Sequence, residues 1–320
     1  MTLKDVAKYA NVSVSTVSKA INGAHDVSES TRIEILEIAE KLGYFSDKKR
    51  VRLENKNKNR FTVAVICPEI ISMFYSEHVT FISKEVEAYG GNCVVHVYNF
   101  ENDRLKKIIE DCDNDKNINA IICLNSGVSV KNTPLLTERS QEFKGSSSYS
   151  VEKALQYLES MGHKDIGFVG EKLTEAKEEV FVQCRGRNKA FVYKSNERFE
   201  EAGEEAAEYY VKNGLPSAVI CAYDEIAYGL IDRLERLGVS VPEDVSVIGI
   251  NNIKASKYCF GGVTTVETGW SETIKEAIER LYTLVVENKT DSIKKTIFKN
   301  PYVVERATVM PYKAERNDKV

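Results

Sequence analysis

Six short runs rich in β-branched residues constrain this chain of 320 residues more than any other feature: "FTVAVICP" (61–68), "NCVVHVYN" (92–99), "NAIICLN" (119–125), "DIGFVG" (165–170), "SAVICAYD" (217–224) and "VSVIGIN" (245–251). They alternate with stretches whose apolar residues recur at helical spacing, at about 75–89, 102–113, 150–161, 204–213, 224–237 and 271–288. Strands that are apolar throughout need cover on both faces. Strand–helix alternation supplies it by laying helices on either side of a parallel sheet. The expected fold class is therefore α/β. About 250 residues follow Phe61, which is long for one such sheet. The polar stretch "ERSQEFKGSSSYS" (138–150) lies near the middle and marks a passage between two lobes.

The amino-terminal residues have a different texture. "LKDVAKYA" (3–10) places Leu3, Val6, Ala7 and Ala10 on one helical face. Asn11 suits the left-handed turn that ends a helix, and Ser13 is a good N-cap for a second helix over about 14–22, stopping at Asn22-Gly23. Ser28 and Ser30 offer caps for a third over about 29–42, with Ile35, Leu36, Ile38, Ala39 and Leu42 mostly inward and Gly43 closing it. The result is a compact helix-turn-helix unit, residues 1–45. Such a unit puts its second helix in the DNA major groove, N-terminal residues toward the base edges. Ser13, Thr16, Ser18 and Asn22 are short donors of the kind that hold phosphates. Val14 and Ser15 sit at the helix tip beside the bases, and Lys19 lies about a turn further on. Thr2, Ser28 and Thr31 join the DNA-facing set, while Val17 and Ile21 turn back toward Val6 and Ala10.

Charge divides the chain in the same place. Residues 1–60 carry 12 Lys/Arg against 8 Asp/Glu, a balance of +4, which leaves −8 on the remainder of a chain whose net charge is −4. Seven basic residues and the single acid Glu54 lie between Lys48 and Arg60, in a polar linker, 46–60, with Val51 and Leu53 as its only apolar side chains. A basic head on an acidic body means that the head alone meets a polyanion.

Other classes are disfavoured. The seven cysteines form no CxxC pair, and Cys67, Cys93, Cys123 and Cys221 sit inside Val/Ile runs, as small reduced core residues of a cytoplasmic protein do. The four histidines have no metal-ligand spacing, so neither metal nor cofactor is expected. Charges at Lys4, Asp5 and Lys8 argue against a signal peptide, and no apolar run approaches the roughly 18 residues of a membrane span. No glycine-rich stretch has phosphate-loop spacing, and no nucleophile–base arrangement stands out, so an enzyme is not expected. Asp224-Glu225 has the form of a paired carboxylate but opens a helix, where capping at the positive end is the expected role.

The stretch "LKDVAKYANVSVSTVSKAINGAHDVSESTRIEILEIAEKLGY" (3–44) closely resembles the DNA-binding headpiece of the lactose/galactose repressor (LacI/GalR) family of bacterial transcription regulators. "HKDIGFVG" (163–170), "AYDEIAYG" (222–229), "VPEDVSVIGINN" (241–252) and "TTVET" (264–268) extend the resemblance in family order over nearly the whole chain. It implies a core like a periplasmic sugar-binding protein, 61–312, whose two lobes flank a ligand cleft. The first lobe would take about 61–143 and 268–295, the second about 145–265 and 296–312, with 313–320 as a tail. It also implies a homodimer on a near-palindromic operator, with no membrane partner. Within the hinge it places Leu53 as a minor-groove wedge. The linker departs from the family pattern, with Ser46-Asp47 for a Pro-Asn start and Arg50 for a small alanine.

For the cleft, the resemblance implies effector contacts at Phe74, Tyr75, Lys177, Phe199, Tyr223, Asn251 and Trp270. Three of them depart from the usual residues, which are arginine at 177, asparagine at 223 and aspartate at 251. The reading is a sequence-specific DNA-binding regulator, a repressor of carbohydrate-utilisation genes, that answers to a small sugar or sugar phosphate. The alternatives are a core that responds to a protein partner or to no small ligand, and a plain solute-binding protein.

Overall fold

The computed structural model describes residues 2–22, 27–42, 44, 61–125, 127–137, 146–185, 191–286 and 300–313. The hinge 46–60 with its Leu53, the side chain of Asn22 and the end of the tail from 314 onward lie outside the described residues.

Three helices form the amino-terminal unit: α1 (Leu3–Tyr9), α2 (Val14–Asn22) and α3 (Glu29–Lys41). Val6, Ala7, Val17, Ala20, Ile21, Ile35 and Ala39 bury together as its core. Each helix starts behind a hydroxyl. Thr2 and Asp5 form a reciprocal capping box. Ser13 Oγ accepts from the Thr16 N–H at 3.0 Å, and Ser28 Oγ from the Thr31 N–H at 3.2 Å. These bonds satisfy backbone donors that a helix start leaves orphaned. Asn11, at φ 54°, takes the left-handed conformation that turns the chain from α1 into α2.

The first lobe is a parallel sheet in the order β2-β1-β3-β4, from β1 (Thr62–Cys67), β2 (Asn92–Val97), β3 (Ala120–Cys123) and β4 (Leu135–Thr137). Helices α4 (Met73–Ala88) and α5 (Asn102–Asn114) connect its strands. Along β1 the side chains divide. Val63 and Val65 pack with Ile82 and Val86, whereas Ala64 and Ile66 pack with Leu105 and Ile109. The first of these cores is completed by Ile274 and Ile278 of α10 (Trp270–Val286), to which the chain returns after building the second lobe.

The second lobe is a six-stranded sheet in the order β10-β9-β8-β7-β5-β6. Its strands are β5 (Ile166–Glu171), β6 (Phe191–Ser195), β7 (Ala218–Cys221), β8 (Ser246–Ile250), β9 (Thr265–Glu267) and β10 (Tyr302–Val304). Only β10 is antiparallel to its neighbour. Helices α6 (Ser146–Ser160), α7 (Glu175–Arg185), α8 (Phe199–Asn213) and α9 (Asp224–Arg236) cover it.

All six strand runs read from the sequence are strands, but four further strands and α7 were not anticipated. Three of those strands have three residues each, too short for a periodic signal. The fourth, β6, is an edge strand and only partly buried. Helix α7 buries only Phe181 and Arg185, so its charged surface dominates its pattern. Helix α8 begins at Phe199 where the periodicity predicted about 204, because Gly203 hides the apolar face. That glycine is a packing device. A Cβ there would collide with the Ile226 carbonyl and the Leu230 N–H of α9, and one on Gly229 would collide with the Glu200 carbonyl of α8. The two helices touch backbone to backbone at these points. Gly229→Ala therefore forces them apart and should cost on the order of 1–3 kcal/mol, read as a lowered urea midpoint at an unchanged slope. An unaltered midpoint would contradict the close approach.

Candidate functional site

On the amino-terminal unit, α2 has two unlike sides. Val17, Ala20 and Ile21 are buried, while Ser13, Val14, Ser15 and Lys19 are exposed and Thr16 and Ser18 half-buried. Val14, at the helix tip, is 41% exposed, although burying it would be favourable. Thr2, Ser13 and Ser28, expected among the DNA contacts, each cap a helix. At Ser13 and Ser28 a hydroxyl that accepts a backbone N–H can still donate, so capping and phosphate contact are compatible at one side chain, whereas Thr2 Oγ1 donates to Asp5 Oδ2 at 2.9 Å. Ser13 and Thr16 hydroxyls also lie 2.8 Å apart, as Ser28 and Thr31 hydroxyls do at 2.7 Å.

The second feature is a cavity of about 270 Å³ between the lobes. In parallel sheets every strand's carboxyl end lies on one edge, and ligands bind in the crevice beyond it. The cavity is built there in both lobes. Phe100 follows β2, Asn125 follows β3, Glu171 ends β5, Phe199 follows β6, Tyr223 follows β7 and Asn251 follows β8. Phe74 and Tyr75 come from the start of α4 and Trp270 from the start of α10. All seven positions expected at the cleft thus line one cavity. Phe100, Asn125, Phe199 and Asn251 hold φ of 58°, 56°, 55° and 109°, a conformation L residues rarely adopt. Such strain concentrates where function over-determines the backbone.

Ring stacking shapes one wall. His78 lies between Phe74, at 3.8 Å, and Trp270, at 3.4 Å between ring centroids. Burial pushes the imidazole down to about 3, so it is neutral at physiological pH and packs as a flat ring.

The polar walls held a surprise. Arg198, at the foot of α8, reaches across the cleft to Glu69 of the first lobe through both terminal nitrogens, at 2.7 and 2.8 Å. Its Nε donates to Glu171 at 3.1 Å. Tyr223 donates to the same Glu171 oxygen at 2.6 Å. Lys177 donates to the Ala222 carbonyl at 2.6 Å. Two of the altered cleft positions thus bond within their own lobe. Glu69, Glu171 and Arg198 were not singled out from the sequence, because each lies in a loop or at a strand end with no local motif around it.

Asp224 and Glu225 need correcting. They open α9, as expected, but neither caps it. Asp224 is fully buried and accepts from the Ile253 N–H at 2.9 Å, Ser256 Oγ at 2.7 Å and Thr265 Oγ1 at 2.5 Å, tying the helix to the segment after β8 and to the start of β9. Glu225 is 2% exposed, lines the cavity and is approached by the backbone N–H of Phe74 from the first lobe. Burial pushes Asp224 up to about 6 and Glu225 up to about 7.

Comparison with known proteins agrees with both features. Residues 2–47 match the family model of bacterial regulatory proteins, lacI family, and residues 155–309 that of a periplasmic binding protein-like domain. The HTH-type transcriptional repressor PurR of Vibrio cholerae serotype O1 is 25% identical over 338 residues, spanning 96% of this chain and 98% of that protein. The HTH-type transcriptional repressor CytR of Escherichia coli K12 is 27% identical over 301 residues, spanning 87% of each. Among solved structures, the lac repressor dimer bound to operator and the anti-inducer ONPF aligns with a TM-score of 0.65 at 20% identity. It covers 97% of this chain and 99% of that one, a likeness of fold.

The two raised carboxyls set a pH dependence. Each holds a proton in the folded state that the unfolded chain releases, so their contribution favours folding below about pH 4 and is lost as pH rises through 6 and 7. Glu225→Gln removes its share. The stability difference between pH 5 and pH 8 should narrow by on the order of 1–3 kcal/mol in urea titrations at the two pH values. An equal difference in both proteins would place Glu225 in water.

Proposed function

The chain belongs to the lacI family of bacterial regulatory proteins and is a DNA-binding transcriptional regulator, and on that premise we propose that it represses genes from a near-palindromic operator under control of a small sugar-like effector. The observation that carries the DNA reading is the exposed face of α2, with Val14, Ser15 and Lys19 outward over a buried Val17, Ala20 and Ile21. Such a helix, beside the basic segment 46–60, fits a major groove. Ser13, Thr16, Ser18, Asn22, Thr2, Ser28 and Thr31 contact phosphates around it, and Leu53 of the hinge enters the minor groove.

The protein acts as a cytoplasmic homodimer, so its two heads read two half-sites. The effector occupies the interlobe cavity against Phe74, Tyr75, Lys177, Phe199, Tyr223, Asn251 and Trp270. By favouring one lobe angle it shifts the population of dimers whose heads fit the operator spacing. A coupling of about 1–3 kcal/mol changes affinity roughly 5- to 150-fold.

The test is electrophoretic mobility shift on operator fragments recovered by footprinting genomic DNA. Lys19→Ala should weaken specific binding by on the order of 1–2 kcal/mol at about 0.15 M salt while the fold, read by circular dichroism, is kept. Unchanged specific affinity would remove α2 from the groove.

A further inference from the structure

The gap between the lobes is spanned by the chain's own side chains. Arg198 of the second lobe gives both terminal nitrogens to Glu69 of the first, at 2.7 and 2.8 Å, and its Nε to Glu171 at the end of β5, at 3.1 Å. Two parallel N–H···O bonds to one carboxylate fix a plane as well as a distance, so this pair holds one relative position of the lobes. Aromatic faces support it from both sides of the gap. The guanidinium carbon lies 4.4 Å from the ring centroid of Phe199 in its own lobe and 5.4 Å from that of Phe100 in the first. The side chain of Glu69 is 9% exposed, that of Glu171 2% and that of Arg198 31%, so salt screens the pair less than it would a surface pair.

Two further contacts cross the same gap. The Lys254 N–H, after β8, donates to Glu77 of α4 at 3.0 Å, and the Phe74 N–H approaches Glu225. Lys177 and Tyr223 spend their polar ends on the Ala222 carbonyl and on Glu171. These groups are engaged by the protein itself. Without the arginine, Glu69 and Glu171 would be two carboxylates that had shared one guanidinium, and their repulsion would part the lobes. Closing also costs the hydration of three charged groups, which offsets most of the attraction. The remaining bias is small, which puts the open form in the range of roughly 0.1–10% that two-state proteins populate as a minor state.

We propose that Arg198 is a built-in latch: through Glu69 it holds the two lobes closed in the ligand-free protein, and so sets the operator affinity of the resting regulator. The latch acts on the lobes whether or not the cavity takes an effector. Its effect on DNA rests on the operator reading above.

Trp270 is the chain's only tryptophan, is 8% exposed and lines the cleft, so acrylamide quenching of its emission reads opening in the full-length, ligand-free protein. Arg198→Met should raise the quenching constant about twofold or more as the open form gains population. Glu69→Gln should raise it less, because it leaves no bare pair of acids. The double variant should be no more open than Arg198→Met, since both changes remove one interaction. Arg198→Lys, which keeps the charge and loses the fork, should fall between wild type and Arg198→Met. Lys194→Met breaks an exposed ion pair to Glu175 within the second lobe and should quench as wild type. Circular dichroism and melting temperature separate opening from lost fold. On operator fragments without added ligand, Arg198→Met and Glu69→Gln should shift affinity in the same direction by about threefold or more. Wild-type quenching in both single variants, or additive effects in the double, overturns the latch. Raised quenching with unchanged operator affinity overturns its regulatory role. Failure of the wild-type protein to prefer any operator would sink the operator reading, while quenching still judges the latch.

Discussion

Parallel strands joined by helices must all end on the same edge of their sheet, and the rest of this structure depends on that constraint. In each lobe the loops that leave the carboxyl ends gather at one edge, and the chain sets the two edges face to face. A crevice lined by residues from nine separate segments then needs no special loop to build it. The covering helices take their closeness from glycine. Where α8 and α9 cross, Gly203 and Gly229 let backbones meet. That contact fixes the segment from which Arg198 and Phe199 project, and the helix start that carries Tyr223, Asp224 and Glu225.

Charge within the crevice is arranged for coherence across the lobes. Arg198 is held by Glu69 and Glu171, and a bidentate guanidinium–carboxylate pair is among the stronger polar contacts available to a protein. Buried ion pairs bring little net stability once desolvation is counted, so geometry is their contribution. Here the pair ties a loop after β1 to the foot of α8, and it sets the relative placement of the two walls between which the proposed effector lies. Glu225, buried at the start of α9, is approached from the first lobe by the backbone N–H of Phe74.

The amino-terminal unit solves a different problem. About 40 residues bury a small core, and the hydroxyls of Thr2, Ser13 and Ser28 stabilise all three helix starts. The same surface residues are the ones an operator would meet. Because residues 1–60 carry +4, all of it supplied by the basic segment 46–60, and the rest of the chain −8, nucleic acid is drawn to the end of the molecule that bears α2.

Much of this was legible in the sequence. Apolar runs at Val63–Ile66 and Val219–Cys221 read as buried strands because burial on both faces leaves no alternation to misread. Helix α2 was placed residue for residue, because Ser13 and the spacing of Val14, Val17 and Ile21 act over one or two turns. The family resemblance, and no local pattern, implied cleft positions far down the chain, and all seven line one cavity. Local chemistry acts over a few residues, so sequence alone determined six of the ten described strands, most of the helices, the capped head and the opposed charges. It could not determine that Arg198 meets Glu69, 129 positions away, that Gly203 is a contact and not a helix breaker, or that Glu225 ends buried at the wall of a cavity. Those facts depend on how two finished lobes face one another, and no periodicity along the chain encodes a distance between them.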